Sequence, residues 1–111
     1  MATNEKIHDV FTELGIRHGL IGYRYLVDFV TGYLEGSITE IDKVTNWYHT
    51  IAKKYSVSEA SVERNVRHIK DTLADHCSDV KLYRKVFGAN ADAHITNRDF
   101  LFALCHYFEL L

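Results

Sequence analysis

Residues 51–69 read IAKKYSVSEASVERNVRHI, and this stretch decides the predicted fold. A short polar break, Ser56-Val57-Ser58, separates a run that ends in two lysines from a run that carries two arginines. Ser58 is a favourable N-cap, because a serine oxygen can accept a hydrogen bond from the unpaired N–H groups that open a helix. The pattern predicts a helix-turn-helix whose second helix covers about residues 59–75.

That second helix separates into an apolar face and a charged face when its residues are placed 100° apart. The apolar face consists of Val62, Val66, Ile69 and Leu73. The outer face carries Glu63, Arg64, Arg67 and His68. Arginine can donate two hydrogen bonds to guanine and glutamate can accept one from cytosine, so these four residues are candidates for reading DNA bases. Amphipathicity alone favours an ordinary solvated face equally well.

Candidate phosphate ligands flank this face. Lys53 and Lys54 end the first helix, and Ser58 and Ser61 lie at the start of the second, where the helix dipole favours anions. The net charge of −2 is a mild indication against DNA binding. Between residues 53 and 70, however, five basic residues including Lys70 outnumber two acidic ones, which gives a local excess of three.

The rest of the chain predicts an all-α domain. Proline is absent and apolar residues recur at three- and four-residue spacing, so we expect one compact bundle of about six helices over residues 1–111. The predicted helices cover about 4–14, 20–34, 47–55, 59–75, 80–86 and 100–111. A capping box at residues 37–40 predicts a further short helix, Thr45 or Asn46 is expected to cap the helix that follows, and residues 89–95 are expected to form a polar loop.

Several function classes lack support in the sequence. No apolar run is long enough to span a membrane, and polar residues follow Met1, so a cytoplasmic location is expected. Gly-rich phosphate loops, GxSxG and HExxH are missing, so we predict neither an enzyme nor a cofactor. His76-Cys77 and Cys105-His106 would supply four zinc ligands only if their helices met, and buried thiols with surface imidazoles are the favoured interpretation.

The terminal helix supports a second class of function. FLFALCHYFELL, residues 100–111, leaves little polar face, and such a helix is either buried or shared with a partner. Burial against LIGYRYLVDFV, residues 20–30, is favoured. The alternative is a protein-interaction or dimerisation module that no longer binds DNA, such as a degenerate paralogue or a decoy of a full-length regulator.

Three blocks of the sequence together resemble one known family. LGIRHGLIGYRYL (14–26) is similar to IG…H.KGY.YL, IAKKY…VERNVRH (51–68) to IAKKF…VERAIRH, and FG (87–88) with TNRDFL (96–101) to FG…PTN.EF. These blocks resemble the C-terminal, DNA-binding effector domain of the sporulation-initiation response regulators of the phosphorelay. The resemblance extends over nearly the whole chain from about residue 7.

The resemblance implies a six-helix domain that binds a short box in double-stranded DNA and regulates transcription. It also implies a head-to-tail homodimer on tandem boxes and contact with RNA polymerase sigma factor. By position, the family's base-reading residues fall on Glu63, Arg64, Arg67 and His68, the face that amphipathicity indicates independently.

Some positions depart from the family pattern. Ser61 replaces an arginine before VER, Ile95 replaces a proline, and the segment around Ala74, His76 and Cys77 differs from the family's tryptophan-containing turn. We therefore expect altered base preference and a changed polymerase contact. No receiver domain lies within residues 1–111, so we expect an excised effector domain or a stand-alone relative, and the acidic net charge favours the latter.

Overall fold

The computed structural model describes residues 3–89 and 94–111, and these residues form six α-helices with no strand among them. The helices are α1 (Thr3–Leu14), α2 (Ile21–Leu34), α3 (Val44–Tyr55), α4 (Glu59–His76), α5 (Val80–Phe87) and α6 (Asn97–Glu109). The predicted all-α bundle is confirmed. Part of the predicted polar loop, residues 90–93, lies outside the described residues.

The core lies between α2 and the helices that pack on it, α1, α4 and α6. Phe29 of α2 meets Trp47 and Phe102 edge to face, with ring centroids 4.8 and 5.2 Å away. Such geometry lets the positive edge of one ring meet the negative face of the next. Six side chains of α6 are buried, so the predicted burial of the terminal helix against α2 is confirmed. This helix ends at Glu109, two residues before the predicted end.

The prediction of a short helix from the capping box at residues 37–40 is wrong, because this segment forms turns and bends. The Glu40 carboxylate that would close the box instead contacts the imidazole of His106 on α6. The N–H of Thr39 donates to the Asp42 carboxylate at 2.9 Å, which closes a turn rather than a helix. The next helix also begins earlier than expected, at Val44, with Lys43 rather than Thr45 or Asn46 as N-cap.

The predicted cap of α4 at Ser58 is confirmed, and Thr96 caps α6 in the same way. The Ser58 hydroxyl accepts from the N–H of Ser61 at 3.0 Å, and the Thr96 hydroxyl accepts from the N–H of Asp99 at 3.1 Å. Each bond pairs one of the free N–H groups at a helix start. The starts of α4 and α6 are therefore fixed by local sequence.

Gly22 determines how closely α2 approaches α4. A Cβ atom at this position would lie 2.8 Å from the carbonyl oxygen of Asn65, which is closer than real Cβ atoms come. Only glycine permits this helix–helix distance, and the distance in turn sets the position of α4 on the bundle.

None of the helices in residues 3–89 and 94–111 is long and apolar enough to cross a membrane.

Candidate nucleic-acid interface

The segment that joins α3 to α4 is three residues long and turns sharply at Ser56. Ser56 adopts the left-handed conformation, with φ 55° and ψ 46°, a conformation that usually favours glycine at helix ends. The N–H of the next residue, Val57, donates to the carbonyl of Ala52 at 3.0 Å and closes the end of α3. The arrangement of α3, this turn and α4 is consistent with the predicted helix-turn-helix.

The inner face of α4 is the apolar face that the sequence predicts. Val62, Val66, Ile69 and Leu73 are all buried. Lys70 is buried beside them, and its Nζ donates to the carbonyl of Ile95 at 2.7 Å. Lys70 therefore does not belong to the basic surface, and its inclusion in the local charge excess was wrong. Its ammonium group hydrogen-bonds to a backbone carbonyl inside the fold.

The outer face of α4 gathers the four candidate base-reading residues. Arg64, Arg67 and His68 are exposed, and Glu63 is half-buried. Arg67 Nη1 donates to Glu63 Oε1 at 2.8 Å, one helical turn away. Arg64 and His68 make no hydrogen bond or ion pair with any residue that the structure describes. Arg64 can therefore bind a ligand without first breaking an ion pair or hydrogen bond with a described residue.

The two lysines at the end of α3 differ in their surroundings. Lys53 is exposed and has no ion-pair partner within the described ranges. Lys54 donates to Asp28 Oδ2 at 3.0 Å, and the hydroxyl of Tyr55 donates to the same oxygen at 2.6 Å. The hydrogen bond to Asp28 raises the pKa of Lys54. Lys54 also borders a cavity of about 470 Å³ between α2 and α3. Because Asp28 belongs to α2, the charge of Lys54 is partly neutralised by that helix.

The two serines at the start of α4 have intramolecular roles. Ser58 is the N-cap, and the hydroxyl of Ser61 accepts from the Asn65 amide at 3.3 Å. Ser58 is exposed and Ser61 is half-buried. Glu59 adds a carboxylate to this end of the helix and lies 3.3 Å from His49 Nδ1. The local excess of positive charge is consequently smaller at the surface than along the sequence.

Asn97, at the start of α6, lies behind the outer face of α4 and was not singled out by the sequence reasoning. Its Nδ2 is 3.1 Å from Tyr48 Oη, 3.3 Å from the Glu63 carbonyl and 3.5 Å from Glu63 Oε1. Burial raises the pKa of Tyr48, and the hydrogen bond from Asn97 opposes this shift. The TN pair within TNRDFL is the sequence signal that could have identified this contact.

The histidines and cysteines form no metal centre among residues 3–89 and 94–111, where no three His, Cys, Asp or Glu side chains group in a way that could hold an ion. Cys105 is buried, and burial raises the pKa of its thiol. Its neighbour His106 contacts Glu40. These residues serve the packing and the surface of α6.

Six helices, a buried apolar face on α4 and an exposed arginine-bearing face are consistent with a helical DNA-binding domain as the class of protein. The family model described as "Sporulation initiation factor Spo0A C terminal" matches residues 7–108, which is nearly the whole chain. The chain belongs to this family of DNA-binding domains, which regulate transcription in sporulation. A search of curated proteins finds no match.

Proposed function

We propose that this domain is a sequence-specific transcription regulator that places the outer face of α4 in the major groove of a short DNA box. The observation that carries the proposal is the division of α4 into a buried apolar face and an exposed face with Arg64, Arg67 and His68. Family membership supports DNA as the partner. The major groove admits an α-helix and presents a distinct pattern of donors and acceptors for each base pair.

The four outer residues take different roles in this proposal. Arg64 has no partner among the described residues, so it binds guanine O6 and N7 without breaking an existing bond. Arg67 is already held by Glu63 at 2.8 Å, so this pair acts as one unit that presents both a donor and an acceptor to the bases. His68 lies beside Arg64 at the exposed surface and contacts the groove edge.

Phosphate contacts fix the register of the helix on the duplex. Lys53 binds a phosphate directly because it is exposed and unpaired within the described residues. Lys54 contributes only if its ammonium leaves Asp28, so we expect it to contribute less than Lys53. Ser58 and Ser61 contact a phosphate at the helix start, where the unpaired N–H groups add a favourable field.

Fluorescence anisotropy with a duplex that carries the family's box and with a scrambled duplex tests the proposal. We expect preference for the box, and log affinity that falls with log salt at roughly −0.9 per phosphate contact. Arg64→Ala should reduce the preference, whereas Lys53→Ala should weaken both duplexes equally and make the slope shallower by about 0.9. Arg84→Ala removes an exposed arginine from α5 and is the matched control.

The proposal fails if the two duplexes bind equally at every salt concentration, or if Arg84→Ala acts like Arg64→Ala. The alternative of a protein-interaction module would then gain weight. That alternative has lost its main support, because the aromatic side chains of α6 that suggested it are largely buried. Leu110 and Leu111 remain exposed at 83% and 59%.

The further partners that the family implies belong to the same proposal. A homodimer on tandem boxes would place two domains on each tandem duplex. Binding of the pair would then depend on the spacing between the two boxes. Contact with RNA polymerase sigma factor would require the end of α4, where Ala74, His76 and Cys77 depart from the family pattern. A cytoplasmic location is consistent with chromosomal DNA as the partner.

A further inference from the structure

One amide group connects the interior of the bundle to the outer face of α4. Asn97 Nδ2 carries two hydrogens and lies within 3.5 Å of three acceptors: Tyr48 Oη, the Glu63 carbonyl and Glu63 Oε1. Two hydrogens can therefore serve the tyrosine at 3.1 Å and the Glu63 carbonyl at 3.3 Å, with Glu63 Oε1 also within reach at 3.5 Å. The half-buried Glu63 side chain thereby contacts the start of α6 in addition to Arg67.

Glu63 passes this restraint to the predicted DNA-reading face. The same Oε1 atom that approaches Asn97 accepts from Arg67 Nη1 at 2.8 Å. The Arg67 side chain is about half exposed, so this long side chain would be poorly fixed without the anchor. Asn97, Glu63 and Arg67 therefore form a continuous chain of contacts from the half-buried start of α6 to the surface of α4.

A second contact holds the same two segments together. Lys70 Nζ donates to the carbonyl of Ile95, two residues before Asn97. Glu63 and Lys70 are seven residues apart, which is about two helical turns, so both face the segment 95–97. Two polar contacts along α4 restrict its rotation about its own axis, and rotation is what would move Arg67 away from a base.

We infer that Asn97 is a positioning residue for base recognition, which holds Glu63 so that Arg67 meets the edge of a guanine in the major groove. The inference rests on the proposed function of α4. Asn97 itself is half-buried behind Glu63 and acts through the ion pair. Its removal should reduce the discrimination between DNA sequences more than the general affinity for DNA.

A double-mutant cycle on the whole chain tests the inference, with the ratio of affinities for box and scrambled duplexes as the readout. Asn97→Ala should lower this ratio by about fivefold or more, the smaller end of what one base contact contributes. In an Arg67→Ala background, Asn97→Ala should lower it no further. Arg84→Ala, an exposed position on α5 outside this chain of contacts, is the control that should preserve the ratio.

Asn97→Asp keeps the test decisive if Asn97→Ala fails to fold. An acidic residue in the first turn of α6 favours the helix, yet it places a carboxylate against that of Glu63 and should repel it from Arg67. Asn97→Asp should therefore lower the ratio while the domain melts cooperatively. Two results would overturn this inference alone, provided that the wild type prefers the box. One is an unchanged ratio of affinities in the Asn97 variants, and the other is a double variant in which the losses of the two single variants multiply. A wild type without preference overturns both this inference and the proposed function.

Discussion

The substitution Gly22→Ala tests how the bundle positions α4. The added Cβ would lie 2.8 Å from the Asn65 carbonyl oxygen and 2.9 Å from Ile69 Cδ1. Ordinary contact begins at 3.4 Å, so the backbone of α4 would have to retreat by 0.6 Å, the difference between 3.4 and 2.8. A backbone oxygen in a packed helix cannot rotate away as the end of a side chain can.

The expected loss of stability follows from two opposing terms. Overpacking in a core costs about 1–3 kcal/mol, whereas replacing glycine by alanine inside a helix gains up to about 1 kcal/mol. Gly22 is the second residue of α2, where this gain is smaller than at the centre of a helix. We therefore expect a net loss of about 1–2 kcal/mol and a Tm lower by about 4–9 °C.

Thermal unfolding followed by circular dichroism measures this change, and two other glycines serve as controls. Gly32→Ala, also in α2, would approach only the flexible Ile38 side chain, and Gly19→Ala would approach nothing within 4 Å. Both variants should melt within a few degrees of the wild type. A Gly22→Ala variant that melts at or above the wild-type temperature would contradict the claim that α2 and α4 lie too close for a Cβ atom at residue 22.

Three further predictions concern single residues. Ser56→Gly should stabilise the domain by up to about 1 kcal/mol, because glycine adopts the left-handed turn without steric cost, and a lower midpoint in urea would contradict this. Lys70→Ala should lower the free energy of unfolding by about 1–3 kcal/mol and leave the salt slope of DNA binding unchanged, since the ammonium is buried on the Ile95 carbonyl. Burial raises the pKa of Tyr23 from 10.0 to about 12, so between these pH values the unfolded chain releases a proton that the folded chain keeps. Stability should therefore be lost as pH rises from 10 to 12, and Tyr23→Phe should make this loss smaller when unfolding in urea is measured at both pH values.

The features that depend on local sequence were predictable. The apolar face of α4 repeats at helical spacing, and Ser58 and Thr96 cap the residues three positions after them. The helix that the capping box at residues 37–40 predicted does not form, although its local signal is of the same kind. Glu40 contacts His106, which is 66 residues away, and a local pattern contains no information about that partner.

The charge distribution of the site depends on contacts between distant residues. Lys54 is 26 residues from Asp28, and Lys70 is 25 residues from Ile95, so the sequence alone presents both lysines as free surface charge. Asn97 is 34 residues from Glu63, and its role follows only from the packing of α6 against α4. Local periodicity therefore identified the exposed, arginine-bearing face of α4, while tertiary contacts determine which of its charges are available.

The most direct test of base reading by α4 changes a single acceptor in the groove. Replacing each guanine of the box in turn by 7-deazaguanine removes the N7 acceptor from the major groove and keeps the base pair and the minor groove. The wild type should lose affinity at one or two guanines, and Arg64→Ala or Arg67→Ala should lose no further affinity at its own guanine. If the wild type binds every substituted duplex as tightly as the original box, the outer face of α4 does not read guanines in the major groove.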